Sequence, residues 1–431
     1  MEKVQRIPVG RKPGERKIEL PQQVNVELGD LAGKVKEGLL AFAVGVGLEV
    51  FKTLLEEDRT EIVGPKGKHD PAGRSSNRHG SQPSSVTLGG RKVDMQRPRV
   101  RSVTGEELAL PAWQALASND DLLEEMALGR MLAGLSTRNY GEGLEPVGSD
   151  LEVSSVSKSA ISRRFVARTK VALDELLAKD LSDLKICALF ADGIEMADHL
   201  MVCSIGLDRD GNKHILGIRE GTTENATVCT ALLSGLVERG LDASDGILVV
   251  IDGGKGLRAA VKRVFGDLGL VQRCRLHKRR NVTQHLPKDQ HPTVIKKMEK
   301  AYAKPDPDKA MAALKALATK LEISHPGAAA SLREGMAETL TLNRLQVPDS
   351  LLPTLSNTNV IESSYSVART TMRNVKRWRS GKMVERWAAA GMEVAASKFR
   401  RVKGYRELPI LVESLKAEVA KLSLGEDRIP A

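Results

Sequence analysis

The sequence predicts an α/β protein built around one mixed sheet. Between residues 184 and 285, short apolar runs and amphipathic stretches follow the order strand, strand, strand, helix, strand, helix, strand. A hairpin meander followed by right-handed helical crossovers gives antiparallel pairing first and parallel pairing after it. The fourth run, residues 246–251, is apolar throughout, which suits a strand near the middle of a sheet covered on both faces. On either side of this region the chain is helical in pattern.

The elements follow in chain order. Residues 39–55 are apolar-rich and predict a packed helix, whereas residues 64–91 gather Gly, Pro, Ser, His and basic residues and predict a loop. Residues 85–101 alternate around Gly89-Gly90 and suit a basic hairpin. From Lys66 to Arg101 there are nine Lys or Arg against Asp70 and Asp94, either a solvated face or a phosphate-tracking arm. Residues 120–133 have helical spacing and stop at Gly134, and residues 135–138 can cap a second helix. A third begins at Ser157, where the Ser cap, small polar residues, Lys158, Arg163 and Arg164 suit the DNA-reading helix of a helix-turn-helix. The strands are residues 186–191, ending at Asp192, then 200–207, 214–219, 246–251, ending at Asp252, and 271–277. Helices are predicted over 225–239 and 257–265. Residues 290–345 are Ala-, Leu- and Lys-rich and predict helix interrupted by Pro305, Pro307 and Pro326. A last helical stretch begins near Asn359.

Composition narrows the function. At 431 residues, the chain has room for about three domains or one with large insertions. Apolar residues make up 41% and charged residues 28%, as in ordinary globular proteins. Lys and Arg total 66 against 55 Asp and Glu, a net charge of +11, which favours a polyanion, nucleic acid first. Aromatics are only 3%, so stacking would not dominate such binding. The longest apolar run, residues 39–48, is too short for a bilayer, and no secretory signal follows the first residues. Cys187, Cys203, Cys229 and Cys274 form no CxxC pair, which argues against a disulfide scaffold and suits a reducing cytoplasm.

Three acids stand out. Phe190-Ala191-Asp192-Gly193 and Val250-Ile251-Asp252-Gly253 each put an Asp after an apolar strand, where active groups of open sheets gather. Glu362 falls in the first turn of a helix capped by Ser356 or Thr358, and Arg369, Arg373, Lys376, Arg377, Arg379 and Lys382 follow with no acid before Glu385. A helix from Asn359 would carry Glu362, Arg369, Arg373 and Lys376 on one face, a carboxylate leading into a phosphate track. Hard oxygen ligands of this kind suit two Mg²⁺ or Mn²⁺ ions and phosphoryl transfer. Cys274 and His277 have zinc-like spacing, with His285 and His291 as further candidates, but no second pair of that spacing lies close by. Arg273, Arg275, Lys278, Arg279 and Arg280, five cations in eight residues, read better as a DNA-backbone contact. Asp252-Gly253-Gly254-Lys255-Gly256 lacks the spacing and the hydroxyl residue of a phosphate loop, which leaves nucleotide hydrolysis a poor reading.

Taken in order, these motifs resemble the Mutator-type transposases of bacterial insertion sequences. The resemblance rests on Asp252-Gly253-Gly254-Lys255-Gly256-Leu257, on Gln272-Arg273-Cys274-Arg275-Leu276-His277-Lys278 with Arg280-Asn281, on Ser356-Asn357-Thr358-Asn359-Val360-Ile361-Glu362-Ser363 and on Asn374-Val375-Lys376-Arg377-Trp378-Arg379. It implies a ribonuclease-H-like mixed-sheet core with a helical insertion, preceded by a mainly helical DNA-binding region. The domains would be a basic N-terminal region (1–115), a helical DNA-binding domain (116–180), a core in two parts (181–285 and 351–405) around the insertion (286–350), and a tail (406–431). Asp192, Asp252 and Glu362 would be the catalytic, metal-holding triad with two Mg²⁺ or Mn²⁺ ions. Lys158, Arg163, Arg164, Lys255, Arg273, Arg275, Lys278, Arg279, Arg280, Arg369, Arg373 and Lys376 are the candidate DNA contacts, and Cys274 and His277 a family element of unassigned role. The implied function is cleavage at element ends and strand transfer by a protein that oligomerises on terminal inverted repeats and target DNA, in the bacterial cytoplasm. The alternatives are a structure-specific nuclease on the same fold and a DNA-binding relative without catalysis.

Overall fold

The computed structural model describes residues 39–67, 75–88, 91–116, 120–133, 158–196, 199–221, 225–373, 375 and 377–423. These fall into two compact units divided after Phe165, with residues 132–134 belonging to the second. The proposed cap at residues 135–138 and Ser157 lie outside the described residues.

In the first unit a helix, α1 (Leu39–Val63), packs on a long hairpin, β1 (Ser76–Leu88) and β2 (Arg91–Ser102), with a two-residue strand, β3 (Glu107–Leu108), paired to β2. The apolar stripe of α1, including Leu48, Phe51 and Leu55, meets Val86, Val93, Met95 and Val100 of the hairpin. Strand β1 begins well before the expected hairpin, inside the stretch expected to be loop. Its polar sequence, with Pro83, is tolerated because β1 is an edge strand, where a missing N–H breaks no ladder. Several cations of the basic arm already have partners: Arg78 pairs with Glu56, and Arg97 and Arg99 with Glu107. Helices α2 (Pro111–Leu116) and α3 (Asp120–Leu132) follow. Helix α4 (Lys158–Ala178) runs well past the recognition-helix length expected from Ser157.

The second unit holds a five-stranded sheet. Its strands are β4 (Ile186–Met196), β5 (His199–Asp208), β6 (Lys213–Gly221), β7 (Ile247–Ile251) and β8 (Gly269–Arg273), in the spatial order β6-β5-β4-β7-β8. The β6-β5-β4 meander is antiparallel, and β4, β7 and β8 are parallel. All five residues of β7 are buried, as a two-sided central strand requires. Helices α5 (Ala226–Glu238) and α6 (Lys255–Phe265) make the crossovers. They cover one face, packing Leu233, Leu236, Leu257 and Val261 against Leu189, Ala191, Val249 and Ile251. Asn225 starts α5 by accepting from the Val228 N–H at 3.0 Å.

Two strand ends differ from expectation. β4 continues past Asp192 to Met196, because Gly193 through Met196 stay paired with β5. β8 stops at Arg273, and Cys274 turns the chain into α7 (Arg275–Thr283). The insertion is three main helices, α8 (His291–Tyr302), α9 (Pro307–Ser324) and α10 (Pro326–Arg333), around their own apolar core. Pro307 and Pro326 begin helices rather than interrupt them, since the first helical turn needs no N–H donor. The chain returns through two one-turn helices, α11 (Thr341–Arg344) and α12 (Leu352–Leu355), to α13 (Asn359–Met372) and α14 (Gly381–Ala396), and a last helix, α15 (Leu408–Ser423), ends the described chain. Among the described residues no helix is long and apolar enough to cross a membrane.

Candidate active site

Asp192 and Asp252 stand abreast. The last parallel pair of β4 and β7 is Phe190 with Val250, and each Asp lies two residues beyond its strand's member of that pair. Leu189 and Ala191 belong to the core under α5 and α6, so by the two-residue period of a strand Asp192 looks to the opposite face. That face carries α13. The Tyr365 hydroxyl of α13 donates to the Asp192 carbonyl at 2.6 Å. Glu362 is three residues earlier on the same helix, so the same helical face brings it over β4.

Each acid is held by its surroundings. Asp192 is 6% exposed, and its Oδ1 accepts from the Gly193 N–H at 2.9 Å. Asp252 is half-buried, and its Oδ1 accepts from the Gly254 N–H at 2.7 Å. Between them Gly253 has φ +106°, and a Cβ there would lie 1.9 Å from Arg273 Nε. Only glycine fits that backbone and that close approach. The Thr358 hydroxyl donates to Glu362 Oε1 at 2.7 Å.

The Cys-x-x-His element joins these parts. The Cys274 N–H donates to the Ile251 carbonyl at 2.7 Å, and the Arg275 N–H to the Ser356 carbonyl at 2.9 Å. The Cys274 sulfur caps α7, accepting from the His277 N–H at 3.4 Å. His277 Nδ1 lies 3.3 Å from Thr358 Oγ1 and 4.0 Å from Glu362 Oε1. A hydrogen bond to Cys274 raises the His277 pKa to about 9 against the opposing effect of burial, with the charges of Cys274, Glu362 and Asp192 adding to it. Burial alone would push the Cys274 thiol up, but hydrogen bonds from His277 outweigh it and hold the thiol below its ordinary value. Cys187 and Cys203, by contrast, are pushed up to about 12 by burial and are inert core thiols.

Among the described residues no group of three His, Cys, Asp or Glu side chains is gathered closely enough to hold a metal ion. The donor chemistry of Asp192, Asp252 and Glu362, all carboxylate oxygens, suits a hard divalent cation.

Three of the five cations around the end of β8 are not surface groups. Arg273, Arg275 and Lys278 are buried, Lys278 to 1% exposure, and all three turn inward. Arg273 donates to the Gly253 carbonyl at 2.7 Å and the Glu334 carbonyl at 2.9 Å. Arg275 donates to the Thr339 carbonyl at 3.0 Å and lies over the Tyr302 ring. Lys278 donates to the carbonyls of Ser331 and Glu334. These cations fasten the insertion to the sheet, and the expected phosphate contacts at Arg273, Arg275 and Lys278 are corrected on that ground. Arg279 pairs with Glu299, while Arg280 and Lys255 are exposed. Arg369 and Arg373 are exposed as well; α13 ends at Met372, and Lys376, the last member of the expected face, lies outside the described residues. Lys158 and Arg163 are exposed on α4 and Arg164 is half-buried there. Thr358 and Tyr365 were missed as site residues. A Thr at a helix start reads as a cap, and only the three-residue step from Glu362 to Tyr365 marked the buried face.

The model for the family described as Transposase, Mutator family matches residues 31–398. The transposase for insertion sequence element IS6120 of Mycolicibacterium smegmatis is 28% identical over 295 residues, covering 66% of this chain and 87% of that protein. The transposase for insertion sequence element ISRM5 of Rhizobium meliloti (strain 1021) is 27% identical over 338 residues, covering 76% of this chain and 82% of that protein. With the matched span taking in all three acids and the Cys-x-x-His element, the chain belongs to the Mutator family of transposases.

Proposed function

We propose that this chain is an insertion-sequence transposase of the DDE type, cleaving DNA at element ends and joining the freed 3′-hydroxyls to target DNA. The observation that carries the reading is the β4–β7 register, which sets Asp192 and Asp252 side by side under the helix that bears Glu362. The sheet order, a three-stranded meander followed by two parallel strands, supports a ribonuclease-H-like core. Asp192, Asp252 and Glu362 would hold two Mg²⁺ or Mn²⁺ ions, which when bound supply activation of a water or hydroxyl and stabilisation of the leaving oxygen. Asp192 and Asp252 are fixed by backbone N–H groups and Glu362 by Thr358, so the acids are oriented before substrate arrives. Lys255, beside Asp252, and Arg369 and Arg373, beyond Glu362, are the exposed cations placed to take phosphates, with Arg280 on α7. Lys158, Arg163 and Arg164 remain candidates for reading terminal inverted repeats, and assembly on two ends calls for an oligomer.

Asp192→Ala, Asp252→Ala and Glu362→Ala are each expected to abolish Mg²⁺-dependent cleavage and joining of DNA carrying the element ends, with gel-shift binding preserved. Near-wild-type strand transfer by any of the three would remove that residue from the triad. Cutting without preference for inverted-repeat ends would favour a structure-specific nuclease.

A further inference from the structure

We propose that the Thr358 hydroxyl is a positioning group that sets the Glu362 carboxylate for cation binding, with the Cys274–His277 pair as its buttress. This rests on the triad reading above and adds a residue to it. Thr358 occupies the N-cap position of α13, yet its side chain makes no capping bond. The Ile361 N–H, which a capping hydroxyl would take, goes to the Thr358 carbonyl at 3.0 Å instead. A Thr at this position ordinarily contributes about 1 kcal/mol by capping, and here the hydroxyl is diverted into the site.

Its bonding is determined by counting. Thr358 is fully buried, so no water competes for it. A hydroxyl has one proton and two lone pairs. Glu362 Oε1 at 2.7 Å, His277 Nδ1 at 3.3 Å and the Cys274 sulfur at 3.5 Å are the groups in reach. The carboxylate is the closest and the best acceptor, so it receives the proton. His277 Nδ1 lies against the remaining lone pairs of the same oxygen. The bonds run from His277 through Thr358 to Glu362, and His277 is tied through Cys274 to the Ile251 carbonyl, one residue before Asp252. The third acid is thus braced against the strand end that carries the second. This also gives the Cys-x-x-His element a purpose that needs no zinc.

The experiment compares full-length wild type, Thr358→Val, Thr358→Ser and Glu362→Ala, each checked for folding by circular dichroism. Val replaces the hydroxyl with a methyl of the same shape, and Ser keeps the hydroxyl. Mn²⁺ binding to the DNA-free protein is followed by electron paramagnetic resonance, and cleavage at saturating DNA is measured across a Mn²⁺ titration. Loss of an outer-shell partner typically weakens metal binding by about 10–100-fold. Thr358→Val should show a shift of that order in both measurements with gel-shift affinity unchanged, and Thr358→Ser should restore both. Thr358→Ala, which removes the same hydroxyl, takes its place if the Val protein does not fold. A folded Val or Ala variant with wild-type Mn²⁺ curves would overturn the proposal, as would a Ser variant as impaired as Val, which would mark a packing role. If Glu362→Ala binds Mn²⁺ as wild type does, the triad reading falls and the role of Thr358 falls with it.

Discussion

Two basic tracts of similar composition meet opposite fates in this molecule. Arg273, Arg275 and Lys278 are buried and bonded to main-chain carbonyls. Arg369, Arg373, Arg377 and Arg379 are exposed. Both runs lie next to a proposed catalytic acid, and both read in the sequence as tracks for phosphate. The difference lies in what the rest of the chain brings to them. Residues 331–343 fold back over the end of β8 and offer main-chain carbonyls to the cations, whereas Arg369 and Arg373 stay exposed. Charge density alone does not mark a nucleic-acid surface; a cation becomes structural where distant backbone acceptors converge on it.

The largest effect expected from this contrast is at Lys278. Lys278→Met removes a charged donor from the Ser331 and Glu334 carbonyls, and should cost about 3 kcal/mol in urea unfolding, since bonds from charged groups are worth roughly 1.5–3 kcal/mol each. Burial first, and then the charge of Arg273, lowers the Lys278 pKa to about 8. The native state therefore gives up this proton before the unfolded chain does, whose Lys titrates at about 10.4. Below pH 8 both states are charged and the burial cost is felt in full; as pH rises from about 8 towards 10.4 that cost is relieved and stability increases. The gap between wild type and Lys278→Met should widen across this window, and a gap that narrows would mean that Lys278 is not a buried cation.

Gly253 sharpens the comparison from the other side of Arg273. Gly253→Ala forces a side chain into a left-handed backbone and into the guanidinium, and should cost about 1–3 kcal/mol. Because Asp252 is the preceding residue, cleavage should fall by about 100-fold, as displacements near 1 Å can do, with DNA binding intact. Wild-type cleavage in Gly253→Ala would show that the Arg273 contact does not govern Asp252.

The smallest effect on stability is expected in the exposed tract. The double change Arg369→Ala, Arg373→Ala should leave unfolding within about 0.5 kcal/mol while reducing the slope of log K against log salt by ~0.9 per lost phosphate contact on duplex DNA. An unchanged slope would return this face to solvent, and lost stability would place it with the buried tract.

The sheet was legible because its information is local. Apolar runs, the Asp208–Asn212 turn and the caps at Asn225 and Gly240 mark each element within a few residues, and the order of elements dictates antiparallel then parallel pairing. The two acids were legible for the same reason. Asp192 was nevertheless expected at a strand end, since Asp-Gly reads as a turn, and pairing with Val202 and Met201 carried β4 through it. Strand β1 was hidden because an edge strand with Pro83 carries no alternating pattern. The burial of Arg273, Arg275 and Lys278 depends on carbonyls some 60 residues away in the chain, and no local pattern encodes that. Thr358 was visible as a residue type, but its bond to Glu362 requires the Cys274–His277 turn to be in place.

The attachment of the insertion has a consequence for how this chain can change over time. On the sheet side the joint demands particular side chains, a long cation at 273, 275 and 278. On the insertion side the receptors at Ser331 and Thr339 are main-chain oxygens, which every amino acid possesses. The joint is therefore selective on the sheet side and tolerant at these two receptors, whereas Glu334, which also pairs with Arg273 through its carboxylate, and Gly335, where a Cβ would lie 2.2 Å from Arg273 Nη1, are fixed points. Away from those two positions, substitutions along residues 331–339 that preserve the path of the backbone keep the carbonyl receptors, so the exposed surface of the insertion is free to drift while its seat on the sheet stays constant.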